Sequence, residues 1–442
     1  MKVGVVKETR EGERRVGLVP EGAVKLTKGG LEVIVEAGAG RDFNLDDAYE
    51  RAGAQVVEDA AEVWSQADLM AKVRAPTEDE LEQVRDGQFV VSFLAPVPDA
   101  DLVKELAERG VTAVSMDAIP RITRAQSMDA LSSQSSVAGY KCMLMGADAL
   151  GKLVPMMTTA AGTTKAASVL VLGAGVAGLQ AIAMGTRLGA DVYGFDIRPE
   201  TKEQIESLGA SFLEEEQEDA DEQREEEGED EGPRPGLPGL WDELKLAFGV
   251  KLKSDSGADG AGDASEDQED EEDDEDTGGY AQEQEEDKQQ RDQELIKARL
   301  GETDIVVTTA LIPGAPAPTL LTQDMVEEMK PGSVIVDLAA EAGGNCELTE
   351  PGETVEHQHV RVIGPRDLPS GVPVHASQLY SRNVVSLISH LVTDDDDEDG
   401  GGARIELDFD DEITDGTVLC HGGEIRHESV REALSEGDKA ET

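Results

Sequence analysis

Cysteine and basic residues are both scarce in this sequence of 442 residues. Its three cysteines, Cys142, Cys346 and Cys420, lie far apart and form no CxxC pair, so we expect neither a disulfide framework nor a zinc site. Lys and Arg number 39 against 95 Asp and Glu, a formal net charge of −56. Such a surface repels nucleic acid and anionic lipid, and we expect no nucleic-acid partner. We interpret the charge as adaptation to a very salty cytoplasm, where salt screens self-repulsion.

The sequence also lacks a convincing membrane segment. Residues 166–185 are apolar enough to resemble a span by length, but they contain four glycines and Gln180. The N-terminal residues 1–8 are typical of a charged strand start and not of a signal peptide. We therefore expect a cytoplasmic protein in a reducing compartment.

Short apolar runs alternate with amphipathic segments along most of the chain, which predicts parallel sheets with right-handed βα crossovers. Before residue 120 the apolar runs are Val3–Val6, Leu31–Val35, Leu69–Val73, Phe89–Leu94 and Val111–Met116. After residue 300 they are Asp304–Thr309, Ser333–Leu338 and Val360–Ile363. We therefore predict an α/β protein with two doubly wound, Rossmann-like parallel-sheet domains.

The predicted domains are joined by long helices. The first domain covers residues 1–130 and is completed by about residues 375–442, and the second covers residues 137–365. Residues 136–152 and 375–392 are typical of the joining helices. The cleft between two such domains is where a ligand would be expected.

A strongly acidic insert, Glu214–Asp276, interrupts the second predicted domain. It contains 28 acidic and five basic residues, too little apolar surface to fold, so disorder is expected. A small apolar island around Trp241 is either a docking motif or a locally collapsed cluster, and the second is favoured.

Residues 169–196 form the most informative stretch of the chain. An apolar run, Val169–Leu172, is followed by a G-x-G-x-x-G pattern, a helix-like segment from about Val176 to Leu188, and a second apolar run that ends at Asp196. In this pattern the first glycine allows a tight turn, the second lets backbone approach a pyrophosphate, and the third lets the helix pack on the sheet. The helix N-terminus favours the phosphates. The second domain is therefore predicted to bind a dinucleotide through Gly173, Ala174, Gly175, Val176, Gly178, Asp196, Ile197 and Arg198.

Asp196 also bears on which dinucleotide binds. A carboxylate at this strand end can accept hydrogen bonds from the adenosine ribose, and it would repel a 2′-phosphate about 4 Å away by roughly 4 kcal/mol. NAD(H) is therefore favoured over NADP(H) on this chain. Arg198 favours the alternative, NADP(H), because its guanidinium could pair with a 2′-phosphate. We rank NADP(H) second.

The chain resembles the NAD(H)-binding component, domain I, of proton-translocating nicotinamide nucleotide transhydrogenase, which is related in fold to alanine dehydrogenase. The resemblance covers nearly the whole chain apart from the acidic insert and the last residues. It rests on four motifs: Pro120–Ser136 (PRITRAQSMDALSSQSS), Gly278–Ala281 (GGYA), Thr308–Gly314 (TTALIPG) and Asp337–Asn345 (DLAAEAGGN).

The resemblance implies roles for individual residues. The first motif corresponds to a loop over the nicotinamide, with Arg121, Gln126 and Asp129 as catalytic candidates. A carboxamide needs a donor and an acceptor, which Ser132 and Asp129 supply, while Gln126 can reach a second nucleotide. The alternative is a polar linker capped by Asp129 and Ser132. The resemblance adds further cofactor contacts at Ile122, Thr123 and Leu311, and a mobile closing loop at Gly279 and Tyr280.

Two positions argue against amino-acid chemistry. Alanine dehydrogenases carry a catalytic Lys and a catalytic His where this sequence has Arg74 and Ala95, and neither residue can serve as general base or acid near pH 7. Direct hydride transfer between two nicotinamide rings needs positioning and no proton relay. The resemblance thus implies an NAD(P) transhydrogenase subunit with NADP(H) on a partner subunit. It also implies a homodimer that membrane-spanning partner subunits hold at the inner face of the cell membrane. An alanine dehydrogenase-like enzyme and a non-catalytic NAD sensor remain alternatives.

Several polar residues fit ordinary structural roles. His357 and His359 have a metal-like spacing but no Cys or third His nearby in sequence, so a surface pair is favoured and no metal site is expected. His375 and His390 fit helix faces without an evident partner. Glu341 and Asn345 could line the cleft or cap a turn after a strand.

Overall fold

The computed structural model describes residues 1–214, 291–311, 316–393 and 403–440. The chain divides into two compact units. The first unit comprises Met1–Cys142, Leu311–Pro316 and Pro365–Thr442, and the second comprises Met143–Ala310 and Ala317–Gly364. Apart from Glu214, the predicted acidic insert lies outside the described residues, as do Gly279 and Tyr280.

Strands and helices alternate through the N-terminal part of the first unit. They are β1 (Lys2–Val5), α1 (Pro20–Lys28), β2 (Glu32–Glu36), α2 (Asp46–Arg51), β3 (Gln55–Val57), α3 (Ala60–Gln66), β4 (Leu69–Ala71), α4 (Glu78–Leu81), β5 (Phe89–Ser92), α5 (Ala100–Glu108), β6 (Thr112–Ser115), a 3₁₀ helix (Thr123–Met128) and α6 (Ala130–Ala149). Helix α6 begins in the first unit and ends in the second.

The second unit follows with a hairpin and then another series of strands and helices. They are β7 (Met157–Thr159), β8 (Gly162–Thr164), β9 (Ser168–Leu172), α7 (Val176–Arg187), β10 (Asp191–Phe195), α8 (Thr201–Ser207), β11 (Ser211–Phe212), α9 (described over 291–300), β12 (Ile305–Thr308), α10 (Gln323–Glu327), β13 (Val334–Asp337), a 3₁₀ helix (Ala340–Ala342), β14 (Thr354–His357) and β15 (Val360–Ile363).

The chain then returns to the first unit. Its last elements are a 3₁₀ helix (Leu368–Gly371), α11 (Pro373–Leu391), β16 (Val392–Thr393), β17 (Arg404–Ile405), α12 (Glu412–Thr417), β18 (Val418–His421), β19 (Glu424–Ile425) and α13 (Glu428–Ala440).

Each unit contains one large sheet. In the first unit the strand order is β19-β18-β6-β5-β4-β1-β2-β3, and in the second it is β11-β10-β9-β12-β13-β15-β14. The pairings are parallel except for β18 and β19 in the first sheet and β14 in the second. The prediction of an α/β protein with two doubly wound parallel sheets is confirmed.

Both faces of the first sheet are covered, as a doubly wound sheet requires. Successive residues of β5 face opposite layers: Val91 packs in a cluster with Leu18 and Tyr380, and Val90 in a cluster with Trp64. All five side chains are at most 1% exposed. This alternation follows from the period of two residues along a strand.

The structure differs from the sequence predictions at helix α6. The predicted helix begins at Ser136, whereas α6 begins at Ala130. The cause is Asp129, whose carboxylate accepts a hydrogen bond from the Ser132 backbone N–H at 2.8 Å and so satisfies a first-turn donor. Residues 130–135 of the first motif are therefore helical.

Among the described residues, none of the helices combines the length and the apolar composition needed to cross a bilayer.

Candidate functional site

The glycine turn lies at the carboxyl edge of the second sheet, between strands β9 and β12. These two strands are adjacent and parallel, with Leu172 paired to Thr308. The chain leaves β9 towards β10 on one side, while β12 and β13 continue on the other side. Loops at this reversal of strand order diverge and leave a crevice, which is where open α/β sheets hold their ligands.

The three glycines of the turn have distinct geometries. Gly173 has φ +97°, a left-handed conformation that favours glycine. A Cβ at Gly178 would lie 1.8 Å from the carbonyl oxygen of Gly173, so helix α7 could not pack this closely with any larger residue. A Cβ at Gly175 would meet nothing within 4 Å. Gly175 therefore borders open space, as a backbone that receives a pyrophosphate must.

Helix α7 begins immediately after this turn. Gly175 is its N-cap and Val176 its first residue, so the first backbone N–H groups of the helix have no partner within the helix. Together with the positive end of the helix dipole, they would favour an anion in the open space beside Gly175.

Asp196 connects the glycine turn to the end of strand β10. Its Oδ2 accepts a hydrogen bond from Ala174 N–H at 2.7 Å and one from Arg198 Nη2 at 2.9 Å. Its Oδ1 accepts from the backbone N–H and the Nε of Arg198 at 3.0 and 2.8 Å. Burial alone would raise the pKa of Asp196, but the hydrogen bonds from Arg198 and Ala174 lower it.

The carboxylate of Asp196 is thus fully engaged, and the guanidinium of Arg198 binds it through Nε and Nη2. A carboxylate has about four acceptor positions, and those of Asp196 receive the four donors described above. The Arg198 side chain is nevertheless 52% exposed, so it is free to move outwards. Ile197, which lies between them, is 67% exposed.

A buried brace supports the crevice from the side of β12 and β13, and the sequence analysis did not identify it. Asp337 is completely buried, and it accepts hydrogen bonds from Thr308 Oγ1 at 2.8 Å and Asn345 N–H at 2.7 Å. Asn345, also buried, donates to the carbonyl of Ala310 at 2.9 Å. Thr309 Oγ1 in turn donates to the carbonyl of Gly173 at 2.9 Å. Asn345 therefore holds the segment beside the glycine turn, whereas Glu341 of the same motif is exposed.

The loop assigned to the nicotinamide lies in the first unit. Gln126 is exposed on the 3₁₀ helix Thr123–Met128, while Ala125 and Met128 on either side of it are buried. Arg121 and Thr123 are exposed, and Ile122 is half-buried. Leu311, which the unit division also assigns to the first unit, is 50% exposed.

Asp129 and Ser132 are brought together directly. The Ser132 hydroxyl donates to Asp129 Oδ2 at 2.5 Å, and its backbone N–H donates to Oδ1. A donor and an acceptor thus lie side by side at the start of α6. The same contacts satisfy a first-turn N–H of α6, as the alternative of a helix cap requires.

Arg74 lies in a buried ionic network of the first unit. Its Nε donates to Glu13 Oε2 at 2.8 Å, and its guanidinium also pairs with Asp367. Glu13 additionally binds Arg15 Nη2 at 2.6 Å. Burial would raise the pKa of Glu13, but hydrogen bonds and charge from Arg15 lower it to about 2. Arg74 is therefore a paired cation, and it cannot accept a proton.

Lys72, two residues before Arg74, is also engaged. Its Nζ lies 2.7 Å from Glu80 and 3.4 Å from Glu8, and the side chain is 1% exposed. Burial alone would lower the pKa of Lys72, but the two carboxylates raise it. Lys72 thus stays protonated and does not supply the missing base. Ala95 has no side-chain donor or acceptor; its backbone N–H donates to Asp117 at 2.8 Å, and its carbonyl accepts from Asp99 N–H at 2.8 Å.

The histidines have ordinary surroundings. His357 lies 2.9 Å from Glu327, and His359 is exposed in the turn after β14. The expectation that His390 has no partner is wrong, because its Nε2 lies 2.9 Å from Asp411 Oδ2 on the segment that begins α12. His375 is exposed. The described residues contain no cluster of three or more His, Cys, Asp or Glu that could hold a metal ion.

Comparisons with known proteins identify the same family in the N-terminal and C-terminal parts of the chain. The family model described as the N-terminal domain of alanine dehydrogenase/PNT matches residues 4–138, and the C-terminal domain model matches residues 142–428. The chain is 40% identical to the NAD(P) transhydrogenase subunit alpha of Cereibacter sphaeroides, over 96% of this chain and 71% of that protein. It is 28% identical to the alanine dehydrogenase of Bacillus subtilis, over 84% and 81%. The crystal structure of transhydrogenase from Sinorhizobium meliloti superposes with a TM-score of 0.75 at 36% identity, covering 96% of this chain and 100% of that one.

Proposed function

The chain belongs to the alanine dehydrogenase/PNT family, and on that basis we propose that it is the NAD(H)-binding subunit of a proton-translocating NAD(P) transhydrogenase. In this role the chain binds NADH and passes hydride to NADP held on a partner subunit. The reaction class is supported by the relatives, since the transhydrogenase subunit is 40% identical and the alanine dehydrogenase 28%.

The choice between these two activities rests on one observation, the permanent charge and the ion pairs of Arg74. Amine oxidation needs a group that changes its protonation near pH 7. Arg74 is permanently charged and paired with Glu13 and Asp367, and position 95 is an alanine. Hydride transfer between two nicotinamide rings needs no such group.

The residues present at the glycine turn fit a dinucleotide. The open space beside Gly175 and the N-terminus of α7 would hold the pyrophosphate, and Asp196 would accept the hydroxyls of the adenosine ribose. The bound nicotinamide supplies the hydride. Because the acceptor positions of Asp196 are occupied by Arg198 and Ala174, binding of the ribose requires the exposed Arg198 guanidinium to move away.

The nicotinamide loop supplies the remaining contacts in this proposal. Asp129 and Ser132 would bind the carboxamide, Arg121 would contact the cofactor, and Gln126 would reach the second nucleotide. The exposure of Gln126 and Arg121 supports these roles. Ile122, Thr123 and Leu311 would line the cofactor site, and Gly279 and Tyr280 would close over it.

The proposal extends to the assembly. The transhydrogenase relative is named as a subunit, which supports partner chains that bind NADP(H) and span the membrane. We propose that this chain forms a homodimer at the inner face of the cell membrane through those partners. The acidic surface would suit a high-salt cytoplasm.

The experiment uses the purified chain in molar salt, alone and with the NADP(H)-binding and membrane subunits of the same organism. Alone with NAD and L-alanine it should form no NADH. With its partners it should reduce NADP from NADH, followed by absorbance with a spectrally distinct nucleotide analogue. Alanine-dependent turnover by the isolated chain would establish a dehydrogenase instead. If the chain binds NADH but transfers no hydride with active partners present, it is a non-catalytic NAD sensor instead.

A further inference from the structure

The 3₁₀ helix that carries Gln126 is held against helix α11 by the side chain of Asn383. The Nδ2 of Asn383 donates to the carbonyl of Ser127 at 2.9 Å. Its Oδ1 accepts from the Ser133 hydroxyl at 2.7 Å. Asn383 is 7% exposed, so its carboxamide is largely shielded from water, and both hydrogen bonds are partly buried.

The two partners of Asn383 lie on opposite sides of Asp129. Ser127 directly follows Gln126, and Ser133 directly follows Ser132, so one carboxamide spans the turn from the 3₁₀ helix into α6. The Asp129 backbone has φ −67° and ψ +89°, which is outside helical values and makes this residue the bend between the two helices. A side chain that is hydrogen-bonded on both sides of a bend determines how the two segments are oriented relative to each other.

The other contacts that the 3₁₀ helix itself makes do not replace its link to Asn383. Ala125 and Met128 are buried and anchor the segment by packing, which sets its depth but has little directional preference. Arg124 reaches Asp411 at 3.1 Å from an exposed position, where an ion pair contributes little. Hydrogen bonds to a buried carboxamide are directional, and leaving such a carboxamide unpaired is unfavourable. Asn383 therefore selects one orientation of the turn.

We propose that Asn383 is a positioning residue for hydride transfer, because it fixes the backbone that places Gln126 and Asp129. The inference rests on the proposed function, in which these two residues contact the nucleotides. Hydride transfer depends steeply on the separation of the two rings, and a displacement near 1 Å can reduce the rate by about a hundredfold. Binding of NADH depends mainly on the glycine turn and tolerates such a displacement.

The test compares Asn383→Ala with a matched control on the same helix, Ser381→Ala. Ser381 is 1% exposed, and its Oγ accepts a hydrogen bond from Val19 N–H at 3.1 Å, away from the loop. Each variant thus removes a buried polar group of α11, but only one of these groups contacts the loop. Asn383→Asp serves as a second variant, since it keeps the shape and the acceptor for Ser133 and loses the donor to Ser127.

Two quantities are measured on the complex with its partner subunits: kcat and amide hydrogen exchange over residues 122–133. The NADH Kd and the melting temperature are measured on the chain. We expect both Asn383 variants to lower kcat about tenfold or more, change Kd less than threefold, and speed exchange in this segment. Ser381→Ala should lower the melting temperature while kcat stays within about twofold of the parent.

Equal kcat in the Asn383 and Ser381 variants would overturn the proposal, as would a loss of NADH affinity that matches the loss of kcat. Unchanged hydrogen exchange in both Asn383 variants would also contradict it. If the parent complex transfers no hydride, the proposed function fails first. Transfer by the parent at a rate that both Asn383 variants retain would refute this inference alone.

Discussion

Alanine substitution at Gly175 and at Gly178 should separate nucleotide binding from folding. The two glycines lie three residues apart on the same turn, but their surroundings differ. A Cβ at Gly178 would lie 1.8 Å from the Gly173 carbonyl oxygen and 2.8 Å from its carbon. A Cβ at Gly175 would meet no heavy atom within 4 Å.

The loss of stability expected for Gly178→Ala follows from the distance between the added Cβ and the Gly173 carbonyl oxygen. An ordinary contact of a Cβ begins at 3.4 Å, so α7 or the turn must shift by more than an ångström. Both contacting atoms are backbone atoms in a turn held by Thr309 and Asp196, so they cannot rotate away. Overpacking of this kind costs about 1–3 kcal/mol or more. We expect a clearly lower melting temperature together with weak NADH binding.

Gly175→Ala should instead fold normally. Its φ of −74° suits any residue, and loss of a glycine N-cap costs at most about 1 kcal/mol. The added methyl group would occupy the space proposed for the pyrophosphate. We therefore expect at least a tenfold loss of NADH affinity, which corresponds to about 1.4 kcal/mol.

The assay is fluorescence titration with NADH and thermal unfolding, both in molar salt. Gly151→Ala is the control, because Gly151 lies outside the turn and a Cβ there also meets open space. That variant should change neither quantity. Parent-like NADH affinity in Gly175→Ala would refute the placement of the pyrophosphate, and parent-like stability of Gly178→Ala would refute the close packing of α7.

Three further predictions concern other residues. The chain should bind NADH at least about tenfold more tightly than NADPH, and Asp196→Asn should reduce that ratio; equal affinities for both nucleotides in the parent chain, measured by titration, would contradict the role of Asp196. With partner subunits present, Gln126→Asn should lower hydride transfer more than it weakens NADH binding, and equal losses in kinetics and titration would argue against a role in setting the ring distance. The pKa of Glu13 is lowered to about 2 in the folded chain, below its unfolded value near 4.5. Its ionised form therefore stabilises the fold above about pH 4.5 by roughly 3 kcal/mol, a contribution lost as pH falls towards 2. Glu13→Gln should accordingly be less stable at pH 7, and its deficit in chemical denaturation should shrink as the pH falls through that range; a deficit that does not depend on pH would refute the linkage.

The features that could be predicted from the sequence are those whose structure is determined by residues within one short segment. The strand β9, the turn at Gly173 and the helix α7 follow one another within twenty residues, and each is specified by apolar runs, glycine conformations or capping. The same holds for the alternating strands and helices of both sheets. The short strand β3 is not among the predicted strands, because its three residues include an exposed Gln55 and its pairing comes only from β2.

The contacts that only the tertiary structure decided join residues far apart in the chain. Asn383 meets Ser127 across 256 positions, and Arg74 meets Glu13 across 61. Periodicity reports which face of a helix or strand is buried, but a single buried amide or carboxylate leaves no period. Its partner depends on which elements pack together and at what depth. The glycine turn and its helix could therefore be predicted from local sequence, whereas the hydrogen bonds of Asn383 to Ser127 and Ser133 form only because α11 packs against that segment.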